Sequence, residues 1–111
     1  MDLRKGKPMH TQITARHSSL PEDLRERAER VLQRLASHAS RPVDATVTFD
    51  NHSVQCSVEL RLHLSSGEML VASAEAVDHR SALDRAEQKL RRQLEKGPRA
   101  RRSRRAGAEP Q

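Results

Sequence analysis

Four basic residues in the C-terminal third of the sequence recur at the spacing of one helix face. They occupy positions i, i+4, i+7 and i+11, as Arg85, Lys89, Arg92 and Lys96. At about 100° per residue these positions share one narrow stripe, opposite the leucines of the same segment. Because like charges on neighbouring turns repel each other, an unpaired stripe lowers helix stability slightly. The pattern therefore favours a binding role, in which this basic stripe contacts several phosphate groups of a polyanion.

An earlier segment carries a weaker version of the same pattern. Three arginines share one side of a predicted helix there, Arg27, Arg30 and Arg34. The alternative to phosphate binding is a solvated face with ion pairs inside each helix. Asp23 can pair with Arg27, and Glu87 can pair with Arg91, since each pair is four residues apart. Both interpretations are open for the first helix, whereas the basic stripe has no carboxylate along it.

The net charge of +6 is unevenly distributed along the 111 residues. Residues 43–79 carry one basic and six acidic residues, whereas residues 80–105 carry 11 basic and three acidic residues. Such segregation indicates a polyanionic partner such as RNA more than a general aid to solubility. Phe49 is the one aromatic residue, and its strand position points it to the core. We therefore expect contacts with phosphates, 2′-hydroxyls and the shape of folded RNA, without base stacking on aromatic rings.

Six histidines and one cysteine raise the question of catalysis or metal binding. No two histidines have the i, i+4 spacing of a helical zinc site, and no nucleophile lies in a recognisable catalytic motif. We expect no catalytic residue, no metal, no cofactor and no small-molecule substrate. The enzymatic alternative is a small ribonuclease in which His17 and His63 act as acid and base. In the non-enzymatic interpretation His17 contacts RNA, and Cys56 packs in the core.

Cellular location is constrained only by what the sequence lacks. No apolar run has the roughly 20 residues that a membrane-spanning helix needs. The basic N-terminus has no apolar stretch behind it, so it is not a secretory signal. The lone Cys56 cannot form an internal disulfide. We therefore expect a cytoplasmic protein that does not bind membranes.

Hydrophobic periodicity predicts the elements that position these side chains. Alternating residues predict strands at 9–16, 43–49, 54–64 and 70–76. Apolar residues at helical spacing predict a first helix of about 15 residues, which begins in a capping box at residues 19–22. Asp78 caps a second helix, which ends at Gly97 and Pro98. The order β-α-β-β-β-α predicts an α+β fold, a two-layer sandwich in which two helices cover a four-stranded sheet.

The same patterns divide the chain into three parts. Residues 1–8 are expected to form a disordered leader, and residues 9–96 a single α+β domain. Residues 97–111 are rich in arginine and lack an apolar face, so they are expected to form a disordered basic tail.

Two segments of the sequence resemble the ribosome hibernation-promoting factor family, the short ribosome-associated inhibitors of bacteria. Residues 9–17 read M-x-x-Q-I-T-x-x-H. Residues 72–94 read A-x-A-E-x-x-D-x-x-x-A-L-D-x-A-x-x-K-L-x-x-Q-L. The resemblance covers about residues 9–96. His79 and Arg80 depart from the family, where an aromatic or apolar residue is common.

The resemblance implies a domain on the small ribosomal subunit between head and body, where it would overlap the mRNA channel and the A- and P-site tRNAs. In that family, basic residues along the helices contact small-subunit rRNA, and Lys89, Arg92 and Lys96 match that basic run by position. We therefore expect the small subunit and its rRNA as partners, and a monomer of the short form. The alternative partner is structured RNA in general.

Overall fold

The computed structural model describes residues 9–17 and 19–108, and their side chains as far as Lys96. The leader expected at residues 1–8 lies outside the described residues. The elements are β1 (His10–Arg16), α1 (Glu22–Ser37), β2 (Pro42–Asn51), β3 (Cys56–Leu64), β4 (Met69–Ala76) and α2 (His79–Ala108). The predicted order β-α-β-β-β-α and the α+β class are confirmed.

The four strands form one mixed sheet in the order β1-β2-β3-β4. Hairpins join β2 to β3 and β3 to β4, so these pairs are antiparallel. β1 is connected to β2 through α1, and a crossover of this kind places the two strands parallel. α1 packs on β1 and β2, and α2 packs on β3 and β4. Both helices therefore cover the same face of the sheet.

The core lies between the sheet and the helices, as the alternation of apolar residues predicts. Phe49, Val58 and Ala15 stand side by side on three strands, and their side chains face the helices. The fully buried large side chains are those of Phe49, Leu32, Leu35, Leu60, Leu62, Leu70, Leu83, Leu90, Val31, Val47 and Val58. The opposite face of the sheet is mostly polar, with Met69 and Val71 of β4 as exposed apolar residues. β3 begins at Cys56, two residues later than predicted, because His52 N–H bonds to Gln55 O at 2.8 Å in a turn that leaves Val54 exposed.

The two helix starts differ from each other in their caps. The capping box predicted at residues 19–22 is wrong: Pro21 is the N-cap of α1, and no side chain bonds to this end of the helix. Pro21 has extended backbone angles, and its carbonyl oxygen accepts from Leu24 and Arg25 N–H, so the helix begins too late for Ser19 to reach it. The predicted Asp78 cap of α2 is confirmed, with Ser81 N–H donating to Asp78 Oδ1 at 2.7 Å. Hydrogen bonds from Ser81 hold the pKa of Asp78 below its ordinary value.

The end of α2 predicted at Gly97 and Pro98 is wrong, because the helix continues to Ala108. Residues 99–108 are mainly arginine and alanine, which have high helix propensity. No helix of the described residues is long and apolar enough to cross a membrane.

Candidate nucleic-acid interface

The basic stripe lies on the flank of α2 that faces away from the core. All four side chains are exposed, while Leu83 and Leu90 on the opposite side of the helix are buried. The structure therefore places the stripe where the sequence predicts it, on a surface that RNA can reach.

Two members of the stripe also contact the edge of the sheet. Arg85 Nη1 donates to Glu75 O at 2.8 Å, and Lys89 Nζ donates to Ser73 O at 2.8 Å. Gln93 Nε2 continues the series by donating to Val71 O at 2.9 Å. Four residues along a helix advance about 6 Å, and two residues along a strand advance about 6.8 Å. Because these distances are similar, the helix side chains and the strand carbonyl groups stay aligned over three contacts.

These three contacts satisfy carbonyl groups of β4, which is an edge strand and has no neighbouring strand beyond it. Covering an edge in this way opposes pairing with another chain. Sequence reasoning missed the contribution of Gln93. The signal is its i+4 spacing from Lys89, which continues the spacing between Arg85 and Lys89.

The edge contacts leave most of the binding capacity of Arg85 and Lys89 unused. An arginine has five N–H donors and a lysine three, and the carbonyl groups take one from each side chain. Because the edge already holds these side chains in position, less conformational entropy is lost when they bind a phosphate. Arg92 and Lys96 lie farther along the same flank. The flank therefore offers cations that are both exposed and partly preorganised.

The arginines of α1 have a different environment. Arg27 Nη2 donates to Asp84 Oδ1 and Oδ2 at 3.0 and 3.2 Å. Arg34 donates from Nε and Nη2 to the two carboxylate oxygens of Glu87, at 2.9 and 3.0 Å. Both pairs join α1 to α2, so they replace the pairs inside each helix that the spacing predicts. The reason is tertiary: the acidic side of α2 packs against the basic side of α1.

The Arg34–Glu87 pair is a structural contact because Glu87 is buried. Only 8% of Glu87 is exposed, and the fork of Arg34 matches both oxygens of its carboxylate. The hydrogen bonds to Glu87 raise the pKa of Arg34. The sequence predicts that Arg34 binds phosphate, whereas in the structure its guanidinium group binds the Glu87 carboxylate.

We expect Arg34→Met to lower the free energy of unfolding by about 2 kcal/mol, because it leaves the Glu87 carboxylate buried without a partner. Loss of one partner from a fully buried pair costs about 3–5 kcal/mol, and the value here is smaller because Arg34 is half-exposed. Adding Glu87→Leu should restore most of the stability. Urea denaturation measures both changes. Arg30→Met is the matched control, expected within about 0.5 kcal/mol of the wild type; an equal loss in Arg30→Met and Arg34→Met contradicts the structural role.

The remaining candidate residues converge on a cleft where both helices begin. Arg27, Arg30 and Arg80 line it together with His17, and its volume is about 690 Å³. We call it the arginine cleft. Sequence reasoning selected Arg27, Arg30 and His17 for RNA contact but not Arg80, which stands near the start of α2.

The His17 side of the arginine cleft is held by a hydrogen bond between side chains. His17 has a left-handed backbone, with φ of 58°, and its Nδ1 lies 2.9 Å from Asp50 Oδ1. This contact, followed by the backbone N–H of Asn51, keeps the pKa of Asp50 below its ordinary value. A non-glycine residue in this backbone region is uncommon and is found most often where the surrounding contacts hold it in place.

The ribonuclease alternative requires His17 and His63 to act on one phosphodiester. His63 Nδ1 lies 3.5 Å from Asp44 Oδ2 at the start of β2, whereas His17 pairs with Asp50 near the end of the same strand. The two aspartates are six positions apart on the strand, a distance of about 20 Å. The two imidazoles therefore cannot share one phosphodiester. No group of three residues suited to metal binding occurs among the residues described.

The sequence is similar to those of known proteins. Residues 11–102 match the family of sigma 54 modulation proteins and S30EA ribosomal proteins. Two sequences from Pseudomonas putida, each named ribosome hibernation promoting factor, are 33% identical over 88 residues, which are 79% of this chain and 85% of each relative.

Two solved structures share the architecture. A ribosomal subunit interface protein from Coxiella burnetii has a TM-score of 0.70 and 26% identity, over 79% of this chain and 96% of that chain. The N-terminal domain of protein Y from Thermus thermophilus has a TM-score of 0.70 and 22% identity, over 81% of this chain and 100% of that chain. At 22% identity the second likeness concerns the fold alone.

Proposed function

The chain belongs to the family of sigma 54 modulation proteins and S30EA ribosomal proteins, and we propose that it is a ribosome-associated translation inhibitor, a hibernation factor that binds small-subunit rRNA. Its binding site would be the decoding region, where the folded domain excludes mRNA and tRNA by occupying their space. The name of the Pseudomonas putida relatives, ribosome hibernation promoting factor, supports the ribosome as partner.

The observation that carries the rRNA part of the proposal is the exposed basic stripe on α2. Its cations stand on successive turns of one helix, and Arg85 and Lys89 are held against β4 by carbonyl groups. A row of this kind can contact several phosphates of a folded RNA backbone at once. Phe49 is fully buried, so among the described residues no aromatic side chain other than histidine is available for stacking on bases.

The steric part of the proposal follows from the character of the site. The basic stripe is a row of phosphate-binding groups without a nucleophile, and the two histidines of the ribonuclease alternative lie too far apart to act together. A binder of this kind inhibits by occupying a site and changes no covalent bond. The protein would act in the cytoplasm, where ribosomes are, as a monomer without a cofactor; the covered edge of β4 is consistent with a monomer.

Competition on purified small subunits tests the steric mechanism. Fluorescent mRNA and initiator tRNA are bound to the subunits, and the protein is added in increasing amounts. We expect both ligands to be released as the protein saturates the subunits. Simultaneous binding of all three components contradicts the steric mechanism. Equal affinity for an unrelated structured RNA contradicts the ribosomal assignment and supports the general RNA-binding alternative.

A further inference from the structure

The arginine cleft combines cations with an apolar wall, which the basic stripe does not. Pro21 and Leu24 of the α1 start line it, together with Cys56 at the start of β3 and the amide side chain of Asn51. A volume of about 690 Å³ is within the range of small-ligand sites, about 300–1,000 Å³. The cleft therefore offers a place for a group that is part charged and part apolar.

The charges inside the cleft are not all neutralised within the protein. Arg27 is paired with Asp84. The Asp78 carboxylate is engaged by Ser81, through the backbone N–H and the hydroxyl, at the start of α2. Arg30 and Arg80 make no ion pair with any residue that the structure describes, although Arg80 is near enough to Asp78 to contribute to its lowered pKa. Asp23 is the second carboxylate on the lining, and it forms no ion pair with Arg30 or Arg80 among the described residues.

One donor beside the cleft lacks an acceptor. Arg27 Nε is buried and makes no hydrogen bond within the described part of the chain. A buried donor left without a partner typically costs about 1–3 kcal/mol, and native proteins rarely keep one without a reason. A ligand in the cleft cannot reach this buried atom, but a phosphate can accept hydrogen bonds from the exposed guanidinium groups of Arg30 and Arg80.

The histidine wall of the cleft is fixed in position. His79 Nε2 donates to Asp50 O at 2.9 Å, and its ring meets Phe49 edge-on with centroids 5.4 Å apart. His17 is bonded to the side chain of the same Asp50. One aspartate at the end of β2 therefore holds both imidazoles, so this wall exists before any ligand arrives.

We propose that the arginine cleft binds one nucleotide unit, with its phosphate on Arg30 and Arg80 and its base against Pro21 and Leu24. The amide of Asn51 can both donate to and accept from a base edge. The unit can be an unstacked nucleotide of bound RNA, in which case the inference deepens the proposed function, or a free nucleotide, in which case it is independent of that function.

Amide chemical shifts of the ¹⁵N-labelled full chain test the cleft without ribosomes. Adenosine 5′-monophosphate and uridine 5′-monophosphate are titrated, with adenosine and inorganic phosphate as partial ligands. We expect the nucleotides to shift the amides of Leu24, Arg30, Asn51 and Arg80. Each partial ligand should bind about tenfold more weakly or worse, since it lacks either the charged hydrogen bonds or the apolar contact.

A pair of double variants separates the cleft from general charge. Arg30→Gln with Arg80→Gln should weaken nucleotide binding about tenfold or more. Arg25→Gln with Arg61→Gln removes the same charge from exposed positions outside the cleft and should leave it unchanged. Thermal unfolding confirms that both variants are folded. Equal weakening in the two variants, binding of phosphate alone as tight as that of a nucleotide, or the absence of shifts at the cleft overturns the proposal.

A six-nucleotide single-stranded RNA without terminal phosphates identifies the source of the nucleotide. If it shifts the same amides and displaces the monophosphate, the cleft takes a nucleotide of RNA. If the monophosphates bind and the RNA leaves these amides unmoved, the cleft takes a free nucleotide. Both results support the cleft. Because no ribosome takes part, a negative result overturns this inference and leaves the proposed function to be judged by binding to small subunits.

Discussion

Replacing the whole basic stripe, with Arg85→Gln, Lys89→Gln, Arg92→Gln and Lys96→Gln, is expected to weaken binding to small ribosomal subunits by about a hundredfold or more. A hydrogen bond to a charged group contributes about 1.5–3 kcal/mol when desolvated, and each 1.4 kcal/mol is tenfold in affinity. These side chains are exposed, so each contributes much less than this. Even so, the loss of four cations should lower the affinity by more than a hundredfold. The salt dependence should fall in parallel, with the slope of log K against log salt smaller by about 3.

Glutamine is the appropriate replacement because it keeps the covering of β4. Gln93 already donates its amide to Val71 O, so glutamine at positions 85 and 89 retains a donor while losing the charge. The fold should therefore survive, which circular dichroism and thermal unfolding can verify. Fluorescence anisotropy with labelled protein and purified small subunits measures the affinity at several salt concentrations.

The control variant removes four charges from other exposed positions, with Arg16→Gln, Arg25→Gln, Arg41→Gln and Arg61→Gln. Arg61 makes only a weak contact with Glu59, at 3.6 Å, so little stability is lost. We expect the affinity of this variant for small subunits to lie within about threefold of the wild-type value, with most of the salt dependence retained. Equal loss in both quadruple variants indicates nonspecific attraction and contradicts a defined rRNA surface on α2.

Phe49→Ala is expected to lower the free energy of unfolding by about 3–5 kcal/mol, the usual range for phenylalanine truncation in a core. Phe49 is fully buried between Ala15 and Val58 on the neighbouring strands, and its ring also supports His79. Small domains are stable by about 5–15 kcal/mol, so the variant loses a large share of the total. Urea denaturation at 25 °C measures the loss.

Two companion variants show whether the loss comes from the cavity. Phe49→Leu keeps most of the apolar volume and should lose only about 1–2 kcal/mol. Val54→Ala, at a position that is 84% exposed, should change stability by about 0.5 kcal/mol or less. If Phe49→Ala behaves like Val54→Ala, the Phe49 side chain is not packed in the core.

The sheet and the helices were predictable because their periodicity is local. The alternation across β3, from Cys56 to Leu64, matches the period of a strand with one buried face. The leucines of α2 match a helical period in the same way. The capping box failed for a local reason as well: Pro21 offers an alternative start, and the sequence does not say which of two neighbouring caps the backbone adopts.

The roles of individual arginines were less predictable because they depend on distances between elements. Arg34 and Glu87 are 53 residues apart, and their pairing requires the two helices to lie side by side in one register. The contacts of Arg85 and Lys89 with β4 likewise require the position of the sheet edge. A helical wheel identifies which cations share a side of one helix, but it cannot show which element that side meets.

Sedimentation of the full chain with ribosomes through a sucrose gradient shows whether this protein is a ribosome-associated factor that binds through α2. We expect the protein to travel with small subunits or whole ribosomes. The variant with glutamine at all four positions of the basic stripe, folded as judged by circular dichroism, should stay at the top of the gradient. If the folded wild-type protein stays at the top even at low salt, the ribosomal assignment is contradicted.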